Sequence, residues 1–347
     1  MDQIADKRDV STVQRTLLPA PAILREEFPV SPASYRTVAE GRIALQRLLS
    51  RQDSRFLVVT GPCSIHDPEA ALDYARRLAP LAKQYSDKLV VMMRTYFEKP
   101  RTTVGWRGLI NDPHLDGTYD MPEGLRRARK LLVQITELGL PVATELLDTA
   151  TPDYFADLIS FGSIGARTTE SQPHRAMASG MPMPVGFKNG TDGELQIALD
   201  AMLSAQSPHS YLGFDEEGRC CVVRTQGNPD VCLILRGGKK SQPNYDRVSV
   251  ARAAACLDKA GLPPGIVVDA SHANSGYDPE RQPFVAEKIG RQRLEGDKSQ
   301  LGVMVESNLV GGKQSISSEM VYGKSVTDAC LGWEETEALL GRLFSMF

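Results

Sequence analysis

Short continuous apolar runs alternate along the chain with stretches whose apolar positions recur every three to four residues. The runs are RFLVVT (55–60), KLVVMMR (88–94), PVATE (141–145), SIGAR (163–167), PVGFK (184–188), VCLILR (231–236), GIVVDA (265–270) and GVMVE (302–306). They lack a polar alternation, which is the pattern of strands covered on both faces by helices. The stretches between them predict helices near 68–84, 122–138, 152–160, 171–179, 192–205, 246–260, 281–294 and 333–345. Eight sequential strand–helix units predict an α/β protein, a closed (β/α)8 TIM barrel. An open doubly wound sheet is the competing arrangement, but nothing in the chain resembles its G-x-G-x-x-G opening.

Two segments fall outside the eight units. Residues 1–50 read as an N-terminal extension, an arm followed by a helix at about 36–50, ahead of a barrel domain spanning 51–347. Residues 210–226 (SYLGFDEEGRCCVVRTQ) read as a β-hairpin inserted between units five and six, turning at Asp215-Glu216-Glu217-Gly218.

Composition narrows the class. The 347 residues carry 40 Lys+Arg against 43 Asp+Glu, a net charge of −3, and 41% are hydrophobic. That is ordinary globular composition, without the basic face a general nucleic-acid binder needs. Six cysteines with no C-x-x-C pair exclude a disulfide scaffold and a zinc ribbon. The polar amino terminus has no signal-peptide core, and no apolar run reaches the ~18 residues of a membrane span. The expectation is a reduced, cytoplasmic protein with no membrane or nucleic-acid partner.

Barrel active sites are built where the strands end. The residues read there are Cys63, Arg94 (with Lys99 and Arg101 just beyond), Glu145, Arg167, Lys188, Arg236, His272 and Glu306. The cations Arg94, Lys99, Arg101, Arg167, Lys188 and Arg236 form one set. Any one of them fits an ion pair with a neighbouring acid. Six at one end of a barrel would repel one another without an anionic ligand, which points to a phosphorylated or carboxylated small molecule. The second set is Cys63, His272, Glu306 and, beyond the eighth strand, Asp328. Cys63 alone reads as a small buried hydrophobe. Together, a thiolate, an imidazole and carboxylates are a mixed donor set for a catalytic divalent cation, with Mn2+, Fe2+, Co2+ and Zn2+ all open.

Several blocks resemble the type I, microbial aromatic-amino-acid-regulated 3-deoxy-D-arabino-heptulosonate 7-phosphate (DAHP) synthases. They are GPCSIHD (61–67), RTYFEKPRTTVGWRGLINDPHLDG (94–117), IGARTTESQ (164–172), PVGFKNGTDG (184–193), LRGGKK (235–240), DASHANS (269–275), VMVESNL (303–309) and KSVTDACLGWEET (324–336). The resemblance runs from about residue 12 to the C-terminus. It implies a metal-dependent transferase that condenses phosphoenolpyruvate with erythrose 4-phosphate, the first step of the shikimate pathway to chorismate and the aromatic amino acids. It also implies a homodimer or homotetramer and one divalent metal per subunit, Mn2+ first. By matching position, Cys63, His272, Glu306 and Asp328 would hold the metal. Arg94, Lys99, Ala166, Arg167, Lys188 and Arg236 would bind phosphoenolpyruvate, with Glu145 handling a water. Lys99, Pro100, Arg101, Thr102 and Asp328 would contact erythrose 4-phosphate. Lys99 would touch both substrates and donate a proton.

The chain departs from the family pattern in two places. At the aromatic-amino-acid effector site, serines are expected where Pro182 and Gly213 stand, and neither offers a hydroxyl. Feedback by Phe, Tyr or Trp is therefore expected to be weak or altered, unless the effector pocket is built differently. Around His272, a bulkier residue is expected at Ala270 and a basic stretch where Gly276-Tyr277-Asp278 stands. Two other readings are a secondary-metabolism paralogue acting on another aldose and a non-catalytic ligand-binding paralogue. The KPRTT segment (99–103) favours erythrose 4-phosphate, and the matched metal and phosphate positions are all present. Five histidines do not supply the His-rich set of a class II aldolase.

Overall fold

The computed structural model describes residues 15–101, 103–238 and 242–347. Its first helices are α1 (Pro21–Glu27) and α2 (Pro32–Leu49). There follow β1 (Phe56–Gly61), α3 (Pro68–Gln84), β2 (Leu89–Arg94), α4 (Met121–Glu137), β3 (Val142–Glu145), α5 (Pro152–Phe155), β4 (Phe161–Ile164), α6 (Gln172–Ala178), β5 (Val185–Lys188) and α7 (Gln196–Gln206). A hairpin, β6 (Ser210–Phe214) and β7 (Cys220–Arg224), precedes β8 (Val231–Leu235), α8 (Arg247–Lys259), β9 (Ile266–Asp269), α9 (His272–Ser275), α10 (Gln282–Leu294) and β10 (Gln300–Glu306). The chain ends with β11 (Val310–Lys313), β12 (Lys324–Ser325) and α11 (Trp333–Met346).

Eight parallel strands close in the order β1-β10-β9-β8-β5-β4-β3-β2. β1 lies between β2 and β10, with Val58 opposite both Val91 and Val303. This is the (β/α)8 barrel the apolar runs predict. The strands are buried throughout, apart from the half-buried Glu145 at the end of β3, because alternate residues serve two cores. Leu57, Val59, Val90, Met92 and Ile234 fill the barrel interior. Phe56, Val58, Val91 and Leu233 pack outward with the helices.

The floor of the barrel is closed by α2. Its Leu45, Leu48 and Leu49 join the interior cluster. Arg42 donates to the carbonyls of Ala156 and Ile159, just ahead of β4. Gln46 donates to Asp230 ahead of β8 at 2.6 Å. A Cβ on Gly265 ahead of β9 would stand 2.8 Å from Leu49. All these contacts lie at the N-terminal ends of strands, so the opposite end is left for the site.

Some boundaries differ from expectation. α2 begins at Pro32, before the expected 36, because Ser31 caps it by accepting from the Ser34 N–H and Pro32 occupies the first turn. The preceding α1 has no counterpart in the predicted elements. The expected helix 152–160 is one turn of α-helix continued by a 3-10 turn, Ala156–Leu158. The fourth strand is Phe161–Ile164 and not 163–167, since the Gly165 carbonyl accepts from the N–H groups of Thr168 and Thr169 and turns the chain there. Arg167 thus lies in the loop after β4. β11 and β12 are likewise additional to the predicted elements.

Candidate active site

Four strands end on residues expected at the site, among them β2 on Arg94, β3 on Glu145 and β5 on Lys188. β10 ends on Glu306, and Arg236 follows β8 directly. Gly61 closes β1 at φ 153°, and a Cβ there would stand 2.7 Å from the Arg94 carbonyl oxygen, so a glycine lets the Cys63 loop lie against Arg94. Asp328 arrives by another route. The chain after β10 folds back through β11 and β12, Gly312 bridges Cys330, and Thr327 pairs with Ser64 through their hydroxyls at 2.7 Å.

These ends surround a cavity of about 580 Å³ lined by Arg94, Lys99, Pro100, Arg101, Glu145, Ala166, Arg167, Lys188, Arg236, His272 and Asp328, among others. Thr102 lies outside the described residues, as do Lys239 and Lys240 of the LRGGKK block. Arg101, which lines the cavity as well, donates Nε to the Trp106 carbonyl at 2.8 Å.

The buried cations are fixed from below. Arg94 donates Nε to the Pro62 carbonyl at 3.0 Å and Nη2 to Glu306 Oε1 at 3.0 Å, and its guanidinium lies 3.4 Å from the Tyr96 ring centroid. Its Nη1 is buried with no hydrogen-bond partner among the described residues. Burial works against the charge, but Tyr96 and Glu306 outweigh it and raise the pKa. Lys188 Nζ lies 2.8 Å from Asp269 Oδ2, with both groups buried. Desolvation would lower the Lys188 pKa, and Asp269 more than restores it. Burial would also raise Asp269, yet His272 and Lys188 hold it well below the carboxylate range. Asp269 is the residue that strand-end reading missed. Its signal was a carboxylate closing the apolar run IVVD.

Among the expected metal ligands, Cys63, Glu306 and Asp328 bring donor atoms within 4.8 Å of one another. His272 stands just outside that trio, its Nε2 4.0 Å from Glu306 Oε1. Its Nδ1 is engaged by Asp269 Oδ2 at 2.9 Å and by Ser271 Oγ at 2.8 Å, which leaves Nε2 facing the donors. Ligand atoms ~2.0–2.3 Å from a common ion lie roughly 3–4 Å apart, so this sulfur, oxygen and nitrogen set fits a divalent cation. Lys99 Nζ meets the same group, 2.7 Å from Asp328 Oδ2 and 2.9 Å from Cys63 Sγ. Burial and Glu306 push the Cys63 thiol up, against Lys99. Asp328, despite burial, is held at about 2 by Lys99. Lys99 itself is raised, because the burial of its ammonium is outweighed by Cys63, Glu306 and Asp328.

A separate cavity of about 470 Å³ is lined by Asp153, Gln172, Met181, Tyr211, Gly213 and Val223, with others. Gly213 stands on β6, where a Cβ would lie 2.6 Å from Val223 Cγ2. Pro182 is the neighbour of the lining residue Met181.

Comparison with known proteins agrees with this fold. The model of the DAHP synthetase I family matches residues 29–341. The Tyr-sensitive phospho-2-dehydro-3-deoxyheptonate aldolase of Escherichia coli (strain K12) is 52% identical over 335 residues, covering 96% of this chain and 94% of the relative. The Phe-sensitive protein of that organism is 53% identical over 331 residues, covering 95% and 94%. The solved structure of phospho-2-dehydro-3-deoxyheptonate aldolase from Francisella tularensis SCHU S4 aligns with a TM-score of 0.93 at 44% identity, covering 96% of this chain and 97% of that one.

Proposed function

The chain belongs to the DAHP synthetase I family, and from that membership together with the site we infer that it condenses phosphoenolpyruvate with erythrose 4-phosphate and water to give DAHP and phosphate. One observation carries the reading. The cations line one cavity together with Asp328 and His272, and Lys99, which lines it too, reaches Asp328 and Cys63 of the donor group.

Arg94, Arg167, Lys188 and Arg236 bind phosphoenolpyruvate, and the unpartnered Nη1 of Arg94 supports a ligand oxygen there. Lys99, Pro100, Arg101 and Thr102 receive the sugar phosphate. Holding two anionic substrates that repel in water is an entropic and electrostatic contribution by the chain itself. C3 of phosphoenolpyruvate attacks the aldehyde carbon, water adds at C2, and phosphate leaves. The Glu145 carboxylate accepts a proton from that water, and the Lys99 ammonium donates one to the aldehyde oxygen. Cys63, His272, Glu306 and Asp328 hold one divalent ion, Mn2+ by preference, which when bound would supply Lewis acidity at the aldehyde oxygen. The enzyme acts as a homodimer or homotetramer.

Feedback by aromatic amino acids is weak or altered. Near-equal identity to Tyr-sensitive and Phe-sensitive relatives favours neither effector. Crowding of Gly213 by Val223 supports a cavity that has lost a hydroxyl. Millimolar Phe, Tyr and Trp should each leave most of the activity, whereas strong inhibition by one of them rejects this part of the reading.

The main test is phosphoenolpyruvate consumption by the intact protein, with and without erythrose 4-phosphate, EDTA and Mn2+ add-back. Consumption that requires both the sugar and the metal is expected. A folded, Mn2+-loaded protein that consumes none with erythrose 4-phosphate, but does so with another aldose, overturns the substrate assignment.

A further inference from the structure

The segment Gly276-Tyr277-Asp278 has no part in the reaction as proposed, yet it sits against the site. Tyr277 has a left-handed backbone at φ 64°, beside Gly276 at 67° and near His272 at 56°. A bulky residue in that region is uncommon and persists where its surroundings over-determine it. Three contacts do so here. The Tyr277 N–H donates to the His272 carbonyl at 2.7 Å. The phenol ring meets the His272 imidazole edge-on, with centroids 6.3 Å apart and planes at 71°. The phenol oxygen accepts from Arg236 Nη2 at 3.3 Å.

Among the described residues, that is the one protein hydrogen bond made by the Arg236 guanidinium. The Arg236 backbone is pinned independently, its N–H donating to Asn189 Oδ1 at 2.9 Å. The anion-binding head therefore depends on Tyr277 for its placement. An oxygen that accepts from Arg236 keeps its own O–H to donate elsewhere. Tyr277 also lines two cavities, the 580 Å³ one and a neighbour of about 320 Å³, which have His272 and Asp328 in common as well. One side chain thus stands between the anion-binding arginine and the imidazole of the donor set.

We propose that Tyr277 is a positioning residue. It holds the Arg236 guanidinium in the phosphoenolpyruvate pocket and couples it to His272, so that filling the anion pocket steadies the imidazole. This rests on the reaction assigned above. Tyr277→Phe removes only the hydroxyl. Its KM for phosphoenolpyruvate, and the Kd measured by calorimetry on the Mn2+-loaded protein, should rise about three- to tenfold, as for one lost hydrogen bond of ordinary strength acting through Arg236. The kcat and the KM for erythrose 4-phosphate should stay within about twofold, a split that a general loss of structure would not give. Coupling is read without turnover. Saturating phosphoenolpyruvate should slow transfer of Mn2+ from the wild type to a chromophoric chelator, and that protection should shrink in Tyr277→Phe. Tyr277→Asn tolerates the left-handed backbone, so it guards against a folding defect and should weaken phosphoenolpyruvate at least as much.

A wild type that binds phosphoenolpyruvate alongside variants that bind it equally well overturns this proposal alone. So does a fall in kcat with an unchanged KM. A wild type that does not bind phosphoenolpyruvate overturns the assigned reaction and this proposal together.

Discussion

Lys99 is held between a carboxylate and a sulfur, with Asp328 Oδ2 at 2.7 Å and Cys63 Sγ at 2.9 Å. An ammonium held this way keeps its proton until a stronger demand arises, which suits a donor that acts only as negative charge develops. Lys99→Met should lower kcat by about 10²-fold or more while the protein still binds phosphoenolpyruvate in calorimetry, and unimpaired turnover would remove Lys99 from the chemistry. Its neighbour Glu98 points the other way. The carboxyl is buried, Oε2 accepts from Thr151 Oγ1 at 3.1 Å, and Oε1 has no partner among the described residues. Burial, reinforced by Asp148, pushes it up to about 7 from 4.5. The folded state therefore keeps this proton over a range where the unfolded chain has released it. Stability contributed by Glu98 is complete below about pH 4.5 and is lost as pH rises to about 7, a change on the order of 3 kcal/mol. Urea titrations from pH 5 to 8 should show Glu98→Gln flattening that slope, and parallel slopes in the two proteins would exclude Glu98 as its source. Arg94, Lys188 and Glu306 were legible because each ends an apolar run. Glu98 was not, since its character comes from what folds over it, whereas Asp269 closes the run IVVD as those residues close theirs and was passed over for His272 beyond it.

At the scale of elements, α2 is the part of the N-terminal region with an assignable mechanical role. Its leucines complete the barrel interior at the end away from the cavity, so structural damage and catalytic damage should separate there. Leu45→Ala is expected to cost about 2–5 kcal/mol of stability in denaturant unfolding, with kcat/KM within about twofold under conditions where the variant is folded. A large loss of kcat/KM in the folded variant would mean that the floor communicates with the mouth. Strand periodicity revealed all eight barrel strands because a doubly covered strand has a distinct composition. It displaced β4 by two residues, because SIGAR continues an apolar run past the turn that Gly165 makes. Short elements such as α1, β11 and β12 carry too few residues for any periodicity to emerge.

For the molecule as a whole, the barrel seam lies between its first and last strands, β1 and β10. The donor group crosses that same seam, since Cys63 follows β1 whereas Glu306 and Asp328 close β10 and the segment after it. Cys63 and Asp328 are 265 residues apart in the chain. At ~5–20 residues per second, a ribosome separates their synthesis by roughly 13–53 s. Throughout that interval the nascent barrel is an open arc with a lone thiol on one edge and no partner for it on the other. Metal capture by the proposed ligands would thus be deferred until the chain is nearly complete. Conversely, any partial unfolding that parts the seam disperses the ligands at once, so loss of bound metal on mild denaturation should report the opening of this one strand pair ahead of global unfolding.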